Sequence, residues 1–272
     1  MNYRHAYHAG NFADCFKHAL LVALVDSFAR KPAPYFVLDT HAGAGRYDLT
    51  ADPAQRTGEA DWGIRRILAT RPSVLARYLG LVQALGLYPG SPTLIQALLR
   101  PADRLVCCEL HPEDVIPLRR QFHRDPRVEV HSRSGWEALG ALLPPGEKRG
   151  LVFVDPPFED PDEFGALTAG LGRGHSRFGH GVFAAWYPIK QRAAVRTFHA
   201  SLKTAEIRDI VAVELYLREP ANAERLNGCG LLVINPPYRF AEQGGMIADA
   251  VLDGLGRDEA GAGTAVIRIT DE

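Results

Sequence analysis

Eight short apolar runs, most of them separated by helical patterns, recur along the chain of 272 residues. They lie at residues 34–40, 103–110, 127–132, 150–157, 181–188, 208–217, 230–237 and 264–269. Strands that alternate with helices predict right-handed crossovers and a mainly parallel sheet, which binds ligands beyond the carboxyl ends of its strands. A short polar loop joins the sixth run to the seventh, and this spacing predicts an antiparallel hairpin at one edge of the sheet.

The strand pattern stops between residues 46 and 101, where helical stretches such as DWGIRRILATR and SVLARYLGLVQALGLY take over. We interpret 46–101 as a small inserted helical subdomain, so that residues 1–45 and 102–272 form the main domain. Four arginines of the insertion could form a basic face, although a solvated helix surface explains them equally well. They are Arg65, Arg66, Arg71 and Arg77.

Composition excludes several classes of protein. No run of about 18 uncharged apolar residues predicts a membrane span, and no apolar segment near the start indicates a secretory signal, so we expect a cytoplasmic protein. The formal net charge of −1 argues against nucleic-acid binding by bulk charge but permits a local basic face. The four cysteines form no CxxC pair, and no histidines are spaced so as to complete a zinc site with them. We therefore expect reduced thiols and no metal.

Glycines and acids follow the first strands at the positions where a ligand would bind. The segment VLDTHAGAGRY places Gly43 and Gly45 after the first strand, where glycines permit a tight turn close to a ligand. Asp48 replaces the third glycine of a dinucleotide fingerprint, which is compatible with a nucleoside cofactor that lacks a pyrophosphate. Glu109 ends the second strand and could accept hydrogen bonds from both ribose hydroxyls. The third strand runs into 132–136, a polar turn suited to an adenine edge.

The fourth run ends in the sequence Asp155-Pro156-Pro157-Phe158. The prolines cannot donate to a sheet ladder, so the chain must leave the sheet in an extended turn whose carbonyls are free to accept hydrogen bonds. Phe158 follows this rigid segment and can be held as a flat platform. For these four residues alone, a turn that merely ends the strand is an equally good interpretation.

Taken in order, a glycine-rich loop, an acid, a polar turn and DPPF resemble the layout of class I S-adenosylmethionine-dependent methyltransferases. DPPF is similar to the Asp/Asn-Pro-Pro-Tyr/Phe motif of enzymes that methylate planar exocyclic nitrogens. The resemblance implies a Rossmann-like α/β fold with a mainly parallel seven-stranded sheet and an antiparallel edge hairpin. A second motif, Asn235-Pro236-Pro237-Tyr238, follows the seventh run, far from the fourth strand, and we assign it a structural role.

Eight segments, spread over nearly the whole chain, resemble the bacterial 23S ribosomal RNA adenine-N6 methyltransferase family. They are YRHAYHAGNFADCFKH (3–18), LDTHAGAGRYDL (38–49), RTGEA (56–60), YPGSP (88–92), ELHP (109–112), DPPFE (155–159), WYP (186–188) and GLLVINPPY (230–238). The resemblance implies transfer of a methyl group from S-adenosylmethionine to adenine N6 in 23S ribosomal RNA that is protein-free or a precursor. It also implies a monomer that needs no metal and no obligate protein partner.

The resemblance implies roles for individual residues as well. The implied cofactor contacts are His18, His41, Ser91, Glu109, Ser134, Gly135 and Asp155, with Lys17 adjacent and with Gly43 and Gly45 from the glycine-rich loop. Asp155 is the implied catalytic residue, and Tyr3 is an implied substrate contact. Two positions depart from the family pattern. Ser134-Gly135 stands where relatives often carry an acid and a glycine, and Phe158 replaces the commoner tyrosine.

The chemistry of these residues fits methylation of an exocyclic nitrogen. Asp155 and the Pro156 carbonyl can accept the two hydrogens of adenine N6, and Phe158 can receive the face of an unstacked base. Tyr3 and Arg4 begin a stretch of cations and aromatics that suits RNA, though it suits an ordered N-terminal cap nearly as well. Whether Asp155 also takes the proton is left open.

Several alternatives remain at this point. His18 and His41 are of a kind that is more often structural than catalytic. Lys17 and His18 are neighbours on a helix, so we expect at most one of them to point squarely into a shared site. DNA adenine and protein glutamine present the same planar nitrogen, and a non-catalytic cofactor- or RNA-binding protein is disfavoured because Asp155 is intact.

Overall fold

The computed structural model describes residues 5–272, so Tyr3 and Arg4, two predicted substrate contacts, lie outside the described residues. The strands are β1 (Phe36–Asp39), β2 (Arg46–Tyr47), β3 (Tyr88–Pro89), β4 (Arg104–Glu109), β5 (Val128–Ser132), β6 (Gly150–Val154), β7 (Val182–Ile189), β8 (Ile210–Tyr216), β9 (Gly228–Ile234) and β10 (Gly263–Thr270). The α-helices are α1 (Phe12–Ala29), α2 (Asp52–Thr57), α3 (Ile64–Thr70), α4 (Ala76–Ala84), α5 (Ser91–Leu98), α6 (Pro112–Phe122), α7 (Gly135–Ala141), α8 (Glu163–Arg177), α9 (Arg192–Thr204) and α10 (Phe240–Leu255). Short 3₁₀ helices lie at His5–Tyr7 and Ser73–Leu75.

The main sheet has the strand order β10-β8-β9-β7-β6-β1-β4-β5. The strands from β7 to β5 in this order are all paired in parallel, whereas β9 runs antiparallel to both β7 and β8. The predicted Rossmann-like α/β fold and its β8–β9 hairpin are therefore confirmed. The predicted count of seven strands was one too low, because β10 pairs antiparallel with β8 and forms the edge in place of the hairpin. This extra strand covers the backbone groups that β8 would otherwise leave unpaired.

The central strands are apolar throughout because both faces of the sheet are covered. In β6, Leu151 and Phe153 belong to one buried cluster while Val152 and Val154 belong to the other, as the alternation of side chains along a strand requires. Helices α1, α5 and α10 contribute to the first cluster, and α7, α8 and α9 contribute to the second. The sheet is thus a rigid middle layer, and its strand ends have fixed positions.

Residues 46–101 contain four α-helices and the small antiparallel sheet formed by β2 and β3. Helix α3 contacts α10, while α4 and α5 contact α1. Ile64, Ile67 and Leu94 from this segment share one buried cluster with strands of the main sheet. The helical character was expected and the small sheet was not. The division of the chain into a main domain and an inserted subdomain stays a prediction.

Candidate active site

A cavity of about 1320 Å³ opens at the carboxyl ends of the parallel strands, beside the first turns of α1. Segments that follow β1, β4, β5 and β6 line it, together with side chains from α1 and β7. This is where a parallel α/β sheet binds its ligands. Within residues 5–272, every predicted site residue except Gly45 lines this cavity.

Lys17 lies between two carboxylates at the centre of the cavity. Its Nζ is 2.7 Å from Asp155 Oδ2 and 2.9 Å from Asp14 Oδ1. Lys17 is only 5% exposed and Asp14 is fully buried, so each charge depends on the others for compensation. Asp155, at the end of β6, therefore has a fixed orientation although it belongs to a turn.

Asp14 also connects the start of α1 to the segment before it. Its Oδ2 accepts hydrogen bonds from the Gly10 backbone N–H at 2.8 Å and from His5 Nε2 at 3.0 Å. The side chain of Asn11 caps the helix by accepting from the Asp14 N–H at 2.9 Å. Burial opposes ionisation of Asp14, but the positive charges of His5 and Lys17 outweigh it and hold its pKa well below the usual value. Asp14 thus supplies a permanent negative charge behind Lys17.

His18 and His41 both line the cavity; His18 is buried, and His41 is partly exposed. His18 Nδ1 is 3.1 Å from the Tyr88 hydroxyl, and His41 Nδ1 is 2.8 Å from Thr40 Oγ1. Burial lowers the pKa of His18 to about 3 and that of His41 to about 4, so both rings are neutral near pH 7. The prediction that at most one of Lys17 and His18 points squarely into a shared site stays a prediction. Both line the cavity, but Lys17 bonds to Asp155 and His18 bonds to Tyr88.

The loop after β1 and the end of β4 are joined through Glu109. Its Oε2 accepts from the Gly43 N–H and its Oε1 from the His111 N–H, each at 2.7 Å. Burial is the main reason that the pKa of Glu109 is raised above its usual value. Gly43 has φ of +60°, and a Cβ there would lie 2.3 Å from the Tyr47 hydroxyl, so glycine is required. Each carboxylate oxygen of Glu109 keeps a further lone pair for a ligand hydroxyl.

Ser91, the first residue of α5, donates a hydrogen bond of 2.7 Å to Asp39 Oδ2. Asp39 ends β1 and is fully buried, and this burial raises its pKa to about 7. Gly45 does not line the cavity; its carbonyl instead accepts hydrogen bonds from the Gly90 N–H at 2.8 Å and from Thr93 Oγ1. Gly45 therefore shapes the loop and fixes the start of α5, and a direct cofactor contact from it has no support in this geometry.

The turn after β5 packs tightly against the loop after β1. A Cβ on Gly135, the first residue of α7, would lie 2.3 Å from the Thr40 carbonyl oxygen and 2.9 Å from His41 Cε1. Trp136 follows and meets the His41 ring edge-on, with centroids 5.2 Å apart. Ser134, Gly135 and Trp136 consequently form one wall of the cavity.

The Asp155–Phe158 turn forms the opposite wall. Phe158 has φ of +51°, in the left-handed region that non-glycine residues rarely adopt. Its ring is packed edge-to-face between Phe164 at 5.1 Å and Trp186 at 5.7 Å between centroids. The Lys17 ammonium lies 5.5 Å from the centre of the Trp186 ring. An acid, a free proline carbonyl and aromatic surfaces therefore meet at one end of the cavity.

Comparison with known proteins identifies the family. The model of the family described as "Ribosomal RNA large subunit methyltransferase D, RlmJ" matches residues 32–267. Two relatives named "Ribosomal RNA large subunit methyltransferase J" are 39% identical in Escherichia coli K12, over 89% of this chain and 90% of the relative, and 36% identical in Haemophilus influenzae Rd, over the same shares. This chain belongs to the RlmJ family.

The fold agrees with that membership. The crystal structure of protein LPL1258 from Legionella pneumophila is similar to this chain with a TM-score of 0.87 and 33% sequence identity. The similarity covers 96% of this chain and 98% of the Legionella chain. The RlmJ architecture described above therefore extends over essentially the whole length of both proteins.

Several residues of this RlmJ-family site were not predicted from the sequence. Asp14 and Trp186 line the cavity, and so do side chains of the β8–β9 loop. The loop residues are Leu217, Arg218, Glu224, Arg225 and Leu226. Asp14 could have been predicted, because side chains three positions apart on a helix are neighbours and Asp14 precedes Lys17 by three positions. The loop could not, since nothing in its composition indicates the direction in which it folds.

The second Pro-Pro motif of this RlmJ-family chain lies near the amino end of β7, away from the carboxyl ends of the parallel strands where the cavity opens. β9 is antiparallel to β7, and its last residue, Ile234, pairs with Phe183 near the amino end of β7. Asn235 Nδ2 donates to the carbonyls of Gly179 and Gly181 at 2.9 and 2.8 Å. These bonds support the structural role predicted for this motif.

Three further findings concern the described part of the chain. None of its helices is long and apolar enough to cross a membrane. Residues 5–272 also contain no group of three or more His, Cys, Asp and Glu side chains arranged to hold a metal ion. All four cysteines are buried.

Proposed function

We propose that this RlmJ-family protein transfers a methyl group from S-adenosylmethionine to N6 of an adenine in 23S ribosomal RNA. The observation that carries the proposal is the Asp155-Pro156-Pro157-Phe158 turn, held at the end of β6 by Lys17 inside a large cavity. Two relatives over most of the chain are named as methyltransferases of large-subunit ribosomal RNA.

The residues around the cavity suit an S-adenosyl cofactor. Glu109 offers two carboxylate oxygens whose positions are fixed by backbone N–H groups, as recognition of a ribose diol requires. The neutral His41 and the Ser134–Trp136 wall offer uncharged polar and aromatic surface for an adenine. When bound, the cofactor would supply an electrophilic methyl group. The cavity, at about 1320 Å³, exceeds the roughly 300–1,000 Å³ of ordinary ligand pockets and so has room for a nucleotide beside a cofactor.

The chain's own residues would act on the acceptor nitrogen. The lone pair of adenine N6 is delocalised into the ring, so N6 is a poor nucleophile until its hydrogens are held. The two N–H groups of adenine N6 can donate hydrogen bonds, one to Asp155 and the other to the Pro156 carbonyl. Once N6 has taken the methyl group, it would release one N–H proton to Asp155 or to water. Lys17 prevents Asp155 from rotating away, so the acceptor is already in position before the base arrives.

The aromatic wall supports a nucleic-acid substrate whose target base is unstacked. Phe158 and Trp186 lie beside Asp155, so a base that enters the cavity would meet aromatic surface next to its hydrogen-bond acceptors. An unpaired or bulged adenine in RNA reaches such a site most easily. We propose that the protein acts as a monomer, without a metal, on RNA that is not yet covered by ribosomal proteins.

The test measures transfer of radiolabelled methyl groups to unmodified 23S RNA transcript. We expect label on adenine N6 with the wild type and a loss on the order of 100-fold with Asp155→Asn, because the carboxylate that holds N6 becomes an amide. Asn235→Ala removes the equivalent side chain of the other Pro-Pro motif and serves as the matched control, which should keep its activity. Cofactor affinity, measured separately, should change little in Asn235→Ala.

DNA and peptide acceptors run in parallel distinguish the alternative substrates. Methylation of DNA adenine alone or of a glutamine-containing peptide alone would contradict the proposal. A folded, cofactor-binding Asn235→Ala variant that loses activity while Asp155→Asn keeps it would mean that the wrong motif has been assigned.

A further inference from the structure

Trp62 lies on the rim of the cavity with 72% of its surface exposed. It belongs to the loop between α2 and α3, in the segment of mostly helical residues that precedes α5. Trp62 and Tyr238 are the two strongly exposed aromatic side chains in the part of the chain that the structure describes. An indole exposed to this extent adds little to the core. Its position at the mouth of the cavity indicates a binding role.

The loop that carries Trp62 is firmly attached to the start of α1. The Ile64 N–H donates to the Gly10 carbonyl at 2.8 Å, and a Cβ on Gly63 would lie only 2.1 Å from the same oxygen. On the other side of Trp62, Glu59 bonds to His8 at 2.8 Å and to Asn11 at 3.0 Å. The backbone on both sides of the indole is therefore fixed relative to the helix that carries Lys17.

The surroundings of Trp62 suit a nucleotide. The Arg66 guanidinium carbon lies 5.6 Å from the centre of the indole ring. Asp61, Trp62, Arg65 and Arg66 line a second, shallow cavity of about 520 Å³ that adjoins the first through Trp62. The two arginines are paired with acids, Arg65 with Asp61 and Arg66 with Asp258 at 2.9 Å. Because these charges are largely balanced, the patch would attract RNA by stacking more than by net positive charge.

We propose that Trp62 is a stacking platform for a nucleotide of the RNA substrate that flanks the target adenine. This inference rests on the proposed function, since it needs RNA in the adjoining cavity. Every base has a flat face that can stack on an indole, so such a contact would position RNA without reading its sequence. Arg66 beside the ring would add its own planar group to the contact.

The experiment is steady-state methylation of 23S RNA transcript by four variants of the full chain. Trp62→Ala and Trp62→Leu should each raise KM for RNA about fivefold or more, because base–aromatic stacking is lost. Trp62→Phe should recover most of that loss, since it keeps a flat ring. Tyr238→Ala removes another strongly exposed aromatic, in the turn after β9 near the amino end of β7, and should leave KM unchanged. The affinity for S-adenosylmethionine and kcat should be unaffected in all four.

The outcomes separate this inference from the proposed function. If Trp62→Ala keeps the wild-type KM for RNA, or if Trp62→Leu restores binding as well as Trp62→Phe does, stacking by Trp62 is wrong and the proposed function stands. If the wild type fails to methylate RNA at all, the proposed function is wrong, and the inference goes with it. Since Trp62 is exposed, the variants should unfold at the wild-type temperature, which circular dichroism checks.

Discussion

At the scale of single residues, the site combines charges that hold each other in place with imidazoles that carry no charge. Asp14, Lys17 and Asp155 form a row in which one ammonium serves two carboxylates. His18 lies close to this row and His41 lines the same cavity, but burial keeps both rings neutral at pH 7. A protonated imidazole there would add positive charge to a pocket that we expect to receive a cationic methyl donor. The neutral histidines thus preserve the charge balance of the site.

The buried histidines predict a dependence of stability on pH. The pKa of His18 is about 3 in the folded protein against an ordinary 6.5, so the unfolded chain binds the proton more tightly. Stability is therefore complete above pH 6.5 and is lost as pH falls from there toward the folded pKa. We expect His18 to account for about 2 kcal/mol of the stability lost between about pH 7.5 and about pH 5. Urea unfolding at the two pH values measures this loss.

His18→Gln is the comparison for that measurement, because glutamine can still bond to the Tyr88 hydroxyl and does not titrate. The variant should lose less stability than the wild type over the same pH interval. An equal loss in both proteins would show that His18 is not the group responsible.

At the scale of elements, the site depends on how closely α7 approaches the loop after β1. Gly135 permits this approach, since its missing side chain leaves room for the Thr40 carbonyl. Glu109 joins the same loop to β4, and Ser91 joins the end of β1 to α5. The ends of two strands, β1 and β4, and the starts of two helices, α5 and α7, are therefore fixed to one another by short contacts. A cavity built from loops acquires a defined shape in this way.

Gly135→Ala should disturb this arrangement, because the new Cβ would lie 2.3 Å from a backbone oxygen. We expect a loss of about 1–3 kcal/mol in the free energy of unfolding and weaker binding of S-adenosylmethionine. Urea unfolding and calorimetric titration measure the two effects.

The matched control is Gly140→Ala in the same helix. A Cβ at Gly140 would meet only the flexible Arg173 side chain, at 3.4 Å, and alanine favours the helix. Stability should stay unchanged or rise by up to about 1 kcal/mol. If both alanines have the same effect on cofactor binding, the close approach at Gly135 is not what shapes the cavity.

At the scale of the whole molecule, we expect the protein to discriminate between free and assembled RNA. The acceptor groups lie inside a cavity, so the target base has to leave its stack and enter, and ribosomal proteins would restrict that movement. Protein-free 23S transcript should accept methyl groups, whereas assembled large subunits lacking the modification should accept at least about tenfold fewer. Counting label on both substrates at equal RNA concentration tests this, and equal labelling would contradict it.

Much of this molecule could be predicted from its sequence, because the informative residues follow apolar strands. Gly43, Glu109, Ser134 and Asp155 each stand next to a strand end, and parallel strands bring those ends together. What the sequence left open was the contacts between elements. Nothing in the sequence predicts that Lys17 pairs with Asp155, because this depends on the packing of α1 against the sheet.

Two other features of the structure were missed for the same reason, because each depends on contacts between elements. The eighth apolar run of the sequence corresponds to strand β10. That this strand pairs with β8 depends on how the sheet assembles, which the sequence does not show. Trp62 was not singled out, because its exposure depends on how the loop between α2 and α3 packs, which the sequence does not show. The cofactor contact predicted for Gly45 stays a prediction; in the structure its carbonyl accepts a hydrogen bond from the Gly90 N–H.

The position of the second Pro-Pro motif has a practical consequence. Tyr238 is 87% exposed and lies in the turn after β9, near the amino end of β7. The cavity opens at the carboxyl ends of the parallel strands. A dye or a surface tether attached at this position would leave the mouth of the cavity open to solution. Single immobilised molecules could then be observed while they bind and release long RNA substrates, and the attached group would not block the entrance of the cavity.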